Sequence, residues 1–78
     1  MPRIPNIPGP YRLFFVSADC IEPIHIHVKR DRLACKFWLS PLTLAHNKGF
    51  SEAELNRIRD TIFENRVAIL EVWREHCR

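Results

Sequence analysis

Residues 24–30 and 33–39 alternate in character, and the rest of the chain is organised around that alternation. Ile24, Ile26 and Val28 fall on one side of an extended segment, with His25, His27 and Lys29 on the other. In the second segment Leu33, Cys35, Phe37 and Leu39 alternate with Ala34, Lys36 and Trp38. A period of two predicts a pair of half-buried strands. A two-residue turn at Asp31-Arg32 pairs His25 with Trp38, Ile26 with Phe37, His27 with Lys36 and Val28 with Cys35. Directly opposed residues share a face. This register gathers the apolar side chains on one face; a slip by one residue sets Ile26 against Lys36 and mixes the two faces. Asp-Arg is not a favoured pair for a tight two-residue turn, so a four-residue loop with the same pairing stays open.

The flanks complete a meander. Residues 11–17 (Tyr-Arg-Leu-Phe-Phe-Val-Ser) are aromatic and β-branched and predict a first strand, although Phe14 and Phe15 are adjacent and spoil the alternation. Residues 17–23 are polar and end in Pro23, a loop signal. After Ser40-Pro41, residues 42–46 alternate again and suggest a short fourth strand that ends at Asn47-Lys48-Gly49.

From Leu55 the period changes. Leu55, Ile58, Ile62, Ile69, Val72 and Trp73 follow helical spacing, with Phe63, Val67 and Leu70 widening the stripe. Ser51 with Glu54 three positions on predicts a capping box, and Phe50 with Leu55 a hydrophobic staple. No Gly or Pro interrupts residues 52–78. One helix over about 52–76 is expected, roughly 36–39 Å long at 1.5 Å per residue, with a C-terminal end that overhangs the sheet. Asn65 and Arg66 interrupt the stripe, and at least one is expected to face the sheet and bond to loop backbone.

Residues 1–10 carry Pro2, Pro5, Pro8 and Pro10, which block helix and central strand and predict an extended arm, tacked to the body by Ile4 and Ile7. The expected architecture is therefore α+β. It has a three- to four-stranded antiparallel meander in a single domain over 11–78, with one long C-terminal helix packed on its apolar face.

Composition narrows the class. With 78 residues, 46% hydrophobic and 27% charged, the chain is a small globular domain and not a disordered one. No apolar run reaches the roughly 18 residues of a membrane span, and the N-terminus lacks a signal-peptide core, so no membrane association and a cytoplasmic location are expected. Cys20, Cys35 and Cys77 are odd in number and widely spaced, which argues against a disulfide framework. Cys20, His25, His27 and Cys35 do not match zinc-ligand spacings, so no metal and no cofactor are assigned.

The net charge is +3, and the basic excess lies in the first fifty residues, where seven Lys/Arg face three acids. That points mildly to an anionic partner. His25 and His27, two apart on a strand, leave the same face. Such a pair suits paired metal ligation, as in a metal-binding regulator, or acid–base work on a phosphodiester, with one imidazole taking the attacking hydroxyl's proton and the other serving the leaving group. Lys36 on that face would stabilise phosphate charge, and Asp19 or Glu22 would orient an imidazole. His25, His27 and Lys36 are thus the candidate catalytic set of a metal-independent ribonuclease. Lys29, Arg30, Arg32 and Trp38 are the candidate binding set, since phosphate contacts need charge and a base stacks on an indole. The bland alternative is a pair of structural sheet histidines beside a solvated hairpin tip.

The ordered motifs resemble a family. Pro23-x-His25-x-His27-Val28, then Ala34-x-Lys36-Phe37-Trp38-Leu39, then Leu44-Ala45-x-x-x-Gly49-Phe50-Ser51-x-x-Glu54-Leu55, then Glu64-Asn65-Arg66 and Trp73 together resemble the bacterial domain of unknown function 4160 across about residues 11–75. Ile24 departs from the pattern, because members often carry a second Pro there. The resemblance carries over no catalytic residues. It implies a small protein of toxin–antitoxin type, encoded beside and acting through a small partner protein, either as an RNA-binding or RNA-cleaving half or as a non-catalytic binding module. A homodimer is compatible with the surfaces expected.

Overall fold

The computed structural model describes Ile4, Ile7 and residues 9–16 and 19–77. Four strands form one antiparallel sheet in the order β1-β2-β3-β4: β1 Arg12–Phe14, β2 His25–Arg30, β3 Leu33–Leu39 and β4 Leu42–Lys48. A 3-10 turn, Asp19–Ile21, precedes β2, and two helices follow the sheet, α1 Glu52–Glu64 and α2 Arg66–His76.

The β2–β3 register is the one the alternation selects: His25 opposes Trp38, Ile26 Phe37, His27 Lys36 and Val28 Cys35. The turn between them is the short one. Asp31 takes a positive φ of 54°, a left-handed conformation that Asp tolerates better than most residues. β4 runs longer than the predicted 42–46, and β1 is shorter than 11–17, whose last residue, Ser17, lies outside the described residues. Between β3 and β4 the pairing jumps from Lys36–His46 to Phe37–Leu44, so Ala45 is an extra residue in a bulge.

One face of the sheet is the core. Leu13, Ile26, Val28, Cys35 and Phe37 are buried there against Ile58 and Ile62 of α1 and Ile69 of α2. A fully buried side chain such as Phe37 contributes roughly 1.5–3 kcal/mol relative to exposure. Of the Pro-rich arm, Pro2, Arg3, Pro5 and Pro8 lie outside the described residues. Ile4 is buried and its amide donates to the Leu13 carbonyl at 2.9 Å, while Ile7 packs against the core.

The single long helix is corrected to two. Asn65 (φ −110°, ψ 17°) ends α1 and begins α2. Its side-chain amide donates to the Thr61 carbonyl at 2.8 Å, a local bond that competes with regular helix. Arg66 turns outward and donates to the Phe63 carbonyl at 2.7 Å, so neither residue reaches loop backbone. α2 packs against the residue that follows β1: Trp73 meets Phe15 edge-on at 5.1 Å and the His76 ring lies nearly parallel to Phe15 at 6.1 Å. Among the described residues the C-terminal end does not stand free of the body, since His76 reaches the Val16 carbonyl at 2.9 Å. That end is tied back by a disulfide between Cys20 and Cys77, a pairing the odd cysteine count had argued against.

Ser51 caps α1, accepting from the Glu54 amide at 3.2 Å. The other half of the capping box is replaced, because the Glu54 carboxylate turns to Arg30 instead. Before the cap, Asn47 closes the turn with two bonds to Phe50, its side-chain oxygen accepting at 3.1 Å and its amide donating at 3.0 Å.

Candidate functional site

The outer face of the sheet carries His25, His27 and Lys29 from β2, Lys36 and Trp38 from β3, and Phe14 from β1. Strand alternation puts them there, and opposed pairing brings His25 beside Trp38 and His27 beside Lys36. The imidazoles of His25 and His27 stand 5.2 Å apart, nearly perpendicular. The sequence thus brings its catalytic candidates together in space.

Access divides them. His25 is fully buried. Trp38 covers it edge-on at 5.5 Å, His27 flanks it, and Trp73 reaches it from α2 at 5.8 Å. Its Nδ1 lies 2.8 Å from the Pro23 carbonyl, which only accepts, so Nδ1 carries the proton and donates. Its Nε2 stands 3.8 Å from the Glu22 carboxylate. His27 is half-buried and stacks on Phe14 at 5.5 Å, with planes 19° apart.

Glu22 bridges the loop and the sheet. Its Oε1 accepts from the Lys36 ammonium at 2.7 Å, and that ammonium also lies 4.6 Å from the Trp38 ring. Glu22 is about half exposed, so the ion pair is worth roughly 0–1 kcal/mol and holds Lys36 only loosely. The cation–π contact adds about 0.5–1 kcal/mol.

The candidate binding residues do not all share this face. Lys29 and Arg32 are exposed, at the strand end and in the turn, and Trp38 is half-buried. Arg30 points to the helix side, where Nη2 and Nε donate to the two oxygens of Glu54 at 2.7 and 3.1 Å. Tyr11 donates to the same carboxylate at 2.9 Å. The Arg30 guanidinium holds the Glu54 carboxyl below its ordinary value, with Tyr11 assisting. Burial, then Glu54, raises the Tyr11 hydroxyl. Arg30 thus fastens the β2 hairpin to the start of α1.

Two features escaped sequence reasoning. Trp73 reads from its spacing only as part of the helical apolar stripe, and its contact with His25 crosses forty-eight residues with no local signal. The Cys20–Cys77 pair had a usable signal: Cys35 sits on the apolar face of β3, which leaves the other two cysteines as partners. Burial pushes the Cys35 thiol up to about 12, so it stays protonated and inert. An apolar cavity of about 420 Å³ opens elsewhere, between Ile24, Leu39 and Leu42 at the sheet end and Ile62, Phe63 and Leu70 on the helices. No helix among the described residues is long and apolar enough to cross a membrane.

A family model described as a domain of unknown function (DUF4160) matches residues 11–74. No curated protein and no solved structure matches the chain.

Proposed function

Since this chain belongs to the family of the domain of unknown function DUF4160, we propose that it is a partner-dependent protein of the bacterial toxin–antitoxin type, working in the cytoplasm, whose outer sheet face binds RNA without cleaving it. The observation that carries this reading is the burial of His25 beneath Trp38 and Trp73. An acid–base pair needs both imidazoles within hydrogen-bond reach of the substrate. Here His25 supports the surface and the accessible chemistry is that of a platform. Lys29 and Lys36 supply charge for phosphates, and Trp38 with the Phe14–His27 stack supplies flat surface for bases. The partner is a small protein from a neighbouring gene, in keeping with the gene pairing that the family resemblance implies.

Cleavage is the second reading. It is favoured by one observation: two imidazoles 5.2 Å apart with Lys36 and Glu22 beside them. Measuring single-stranded RNA binding and RNA integrity together separates the two. Binding that is lost in Lys36→Ala and Trp38→Ala, with the RNA intact throughout, supports the platform. RNA cleavage that disappears in His27→Ala replaces it with the enzyme. Absence of both binding and cleavage, with and without the co-purified partner, removes the RNA reading.

A further inference from the structure

We propose that Cys20, His76 and Cys77 form a redox-gated Zn²⁺ site, closed as a disulfide when oxidised and open as a Cys₂His cation site when reduced. The three side chains come from the 3-10 turn and the end of α2, and their ligand atoms lie within 4.8 Å of one another. A tetrahedral zinc with Zn–S of about 2.3 Å and Zn–N of about 2.0–2.1 Å holds its ligand atoms roughly 3.5–3.8 Å apart. The Cα atoms of Cys20 and Cys77 are 5.4 Å apart, so side-chain rotation after reduction is enough to open that spacing.

One nitrogen of the histidine ring is already held by the backbone. His76 Nε2 lies 2.9 Å from the Val16 carbonyl, so Nε2 carries the proton and donates. The lone pair therefore falls on Nδ1. A ring whose far nitrogen is fixed by a carbonyl is the usual arrangement of a metal-ligating histidine. Stacking on Phe15 holds the plane as well. Two thiolates and an imidazole select zinc over the hard cations that prefer oxygen. Cys20 is exposed and Cys77 and His76 are half-buried, which admits both a reductant and an ion. Three protein ligands leave the fourth position to water.

The electron and proton balance is simple. A dithiol reductant passes two electrons and two protons to the Cys20–Cys77 bond, giving two thiols and leaving the reductant as its own disulfide. Zn²⁺ then displaces the two thiol protons, which pass to solvent. In either state the 3-10 turn stays tied to the end of α2. Glu22, two residues past Cys20, is thereby kept beside Lys36 and His25.

The test uses the full chain, reduced with a phosphine that does not compete for metal, and Co²⁺ as the spectroscopic probe. The reduced chain is expected to bind one equivalent with a thiolate-to-cobalt charge-transfer band that Zn²⁺ abolishes; the oxidised chain is expected to bind none. Cys20→Ser, Cys77→Ser and His76→Gln should each weaken Zn²⁺ binding by more than the roughly 10–100-fold that loss of an outer-shell partner costs. Cys35→Ala, which keeps all three ligands, should bind as the wild type does. Absence of the charge-transfer band in the reduced chain overturns the proposal. So does a band that survives Cys20→Ser and Cys77→Ser, or one that is lost in Cys35→Ala.

Discussion

The indole of Trp73 meets the imidazole of His25 edge-on, with centroids 5.8 Å apart and planes at 64°. A helix residue thus seals a histidine that strand alternation alone would leave on the open face. Trp73 also packs on Phe15, so a single side chain joins the core to the candidate site. Trp73→Ala is expected to cost about 2–4 kcal/mol, below the full range for a large aromatic because Trp73 is only half-buried. It should also unmask His25. Urea unfolding gives the first quantity, and acylation of histidines read by mass spectrometry gives the second. If His25 stays as protected in the variant as in the wild type, the seal lies elsewhere.

Lys36 is shared between Glu22 and the Trp38 ring, and the Glu22 pair is weak. Glu22→Gln should therefore release the ammonium and tighten RNA binding several-fold. Lys36→Ala should weaken binding and lower the slope of log K against log salt by about 1, the signature of one lost phosphate contact. Salt titrations of both variants check this. An unchanged slope in Lys36→Ala excludes that residue from the contact.

Arg30 and Tyr11 depress the Glu54 carboxyl, which gives stability a defined pH dependence. A carboxyl whose folded value lies below its unfolded one stabilises the fold fully above the unfolded value, 4.5, and loses that contribution as pH falls through the lower folded value. The wild type should therefore lose more stability than Glu54→Gln between neutral pH and the acid side of that window. Denaturant melts of the two proteins across the range measure the difference, and parallel curves would remove Glu54 from the acid response.

Gly49 holds a φ of 96°, and a Cβ built there would stand 2.5 Å from Leu33 Cδ2. Gly49→Ala combines an unfavourable backbone conformation with a collision against a side chain that can yield. The expected cost is about 1–3 kcal/mol, readable by thermal unfolding.

Thiol counting separates the three cysteines. The native oxidised chain should show no reactive thiol, because Cys35 is buried and its thiol is pushed up to about 12. Unfolding without reductant should reveal one thiol, and unfolding with reductant three. Reduction removes a bond that closes a separation of 57 residues, worth about 4 kcal/mol in the chain-entropy picture, so the reduced chain should unfold at lower denaturant.

The hairpin was legible because two strands with a strict period of two admit one register that keeps both faces clean. The cap at Ser51 was legible for a similar reason, its spacing to Glu54 being local. The break at Asn65 was not. No Gly or Pro marks it, and a lone Asn within an apolar stripe reads equally well as a buried hydrogen-bonding residue. The burial of His25 was hidden for another reason. Periodicity assigns a side chain to a face but does not say what a later segment lays over it, and Trp73 lies far along the chain. Arg30 shows the same limit. Counting charges around a turn placed it with Lys29 and Arg32, whereas alternation sends it to the opposite face and Glu54 takes it there.

The bond between Cys20 and Cys77 also changes what the oxidised chain does under load. Tension applied to the chain beyond Cys77 passes from Cys77 to Cys20 across one covalent link and bypasses residues 21–76, which hold β2, β3, β4 and both described helices. A machine that unravels proteins by pulling on that end meets a closed ring too wide to thread as a single strand. Reduction opens the ring and offers the same domain as a linear thread, so thiol chemistry at the surface governs how readily this chain can be mechanically dismantled.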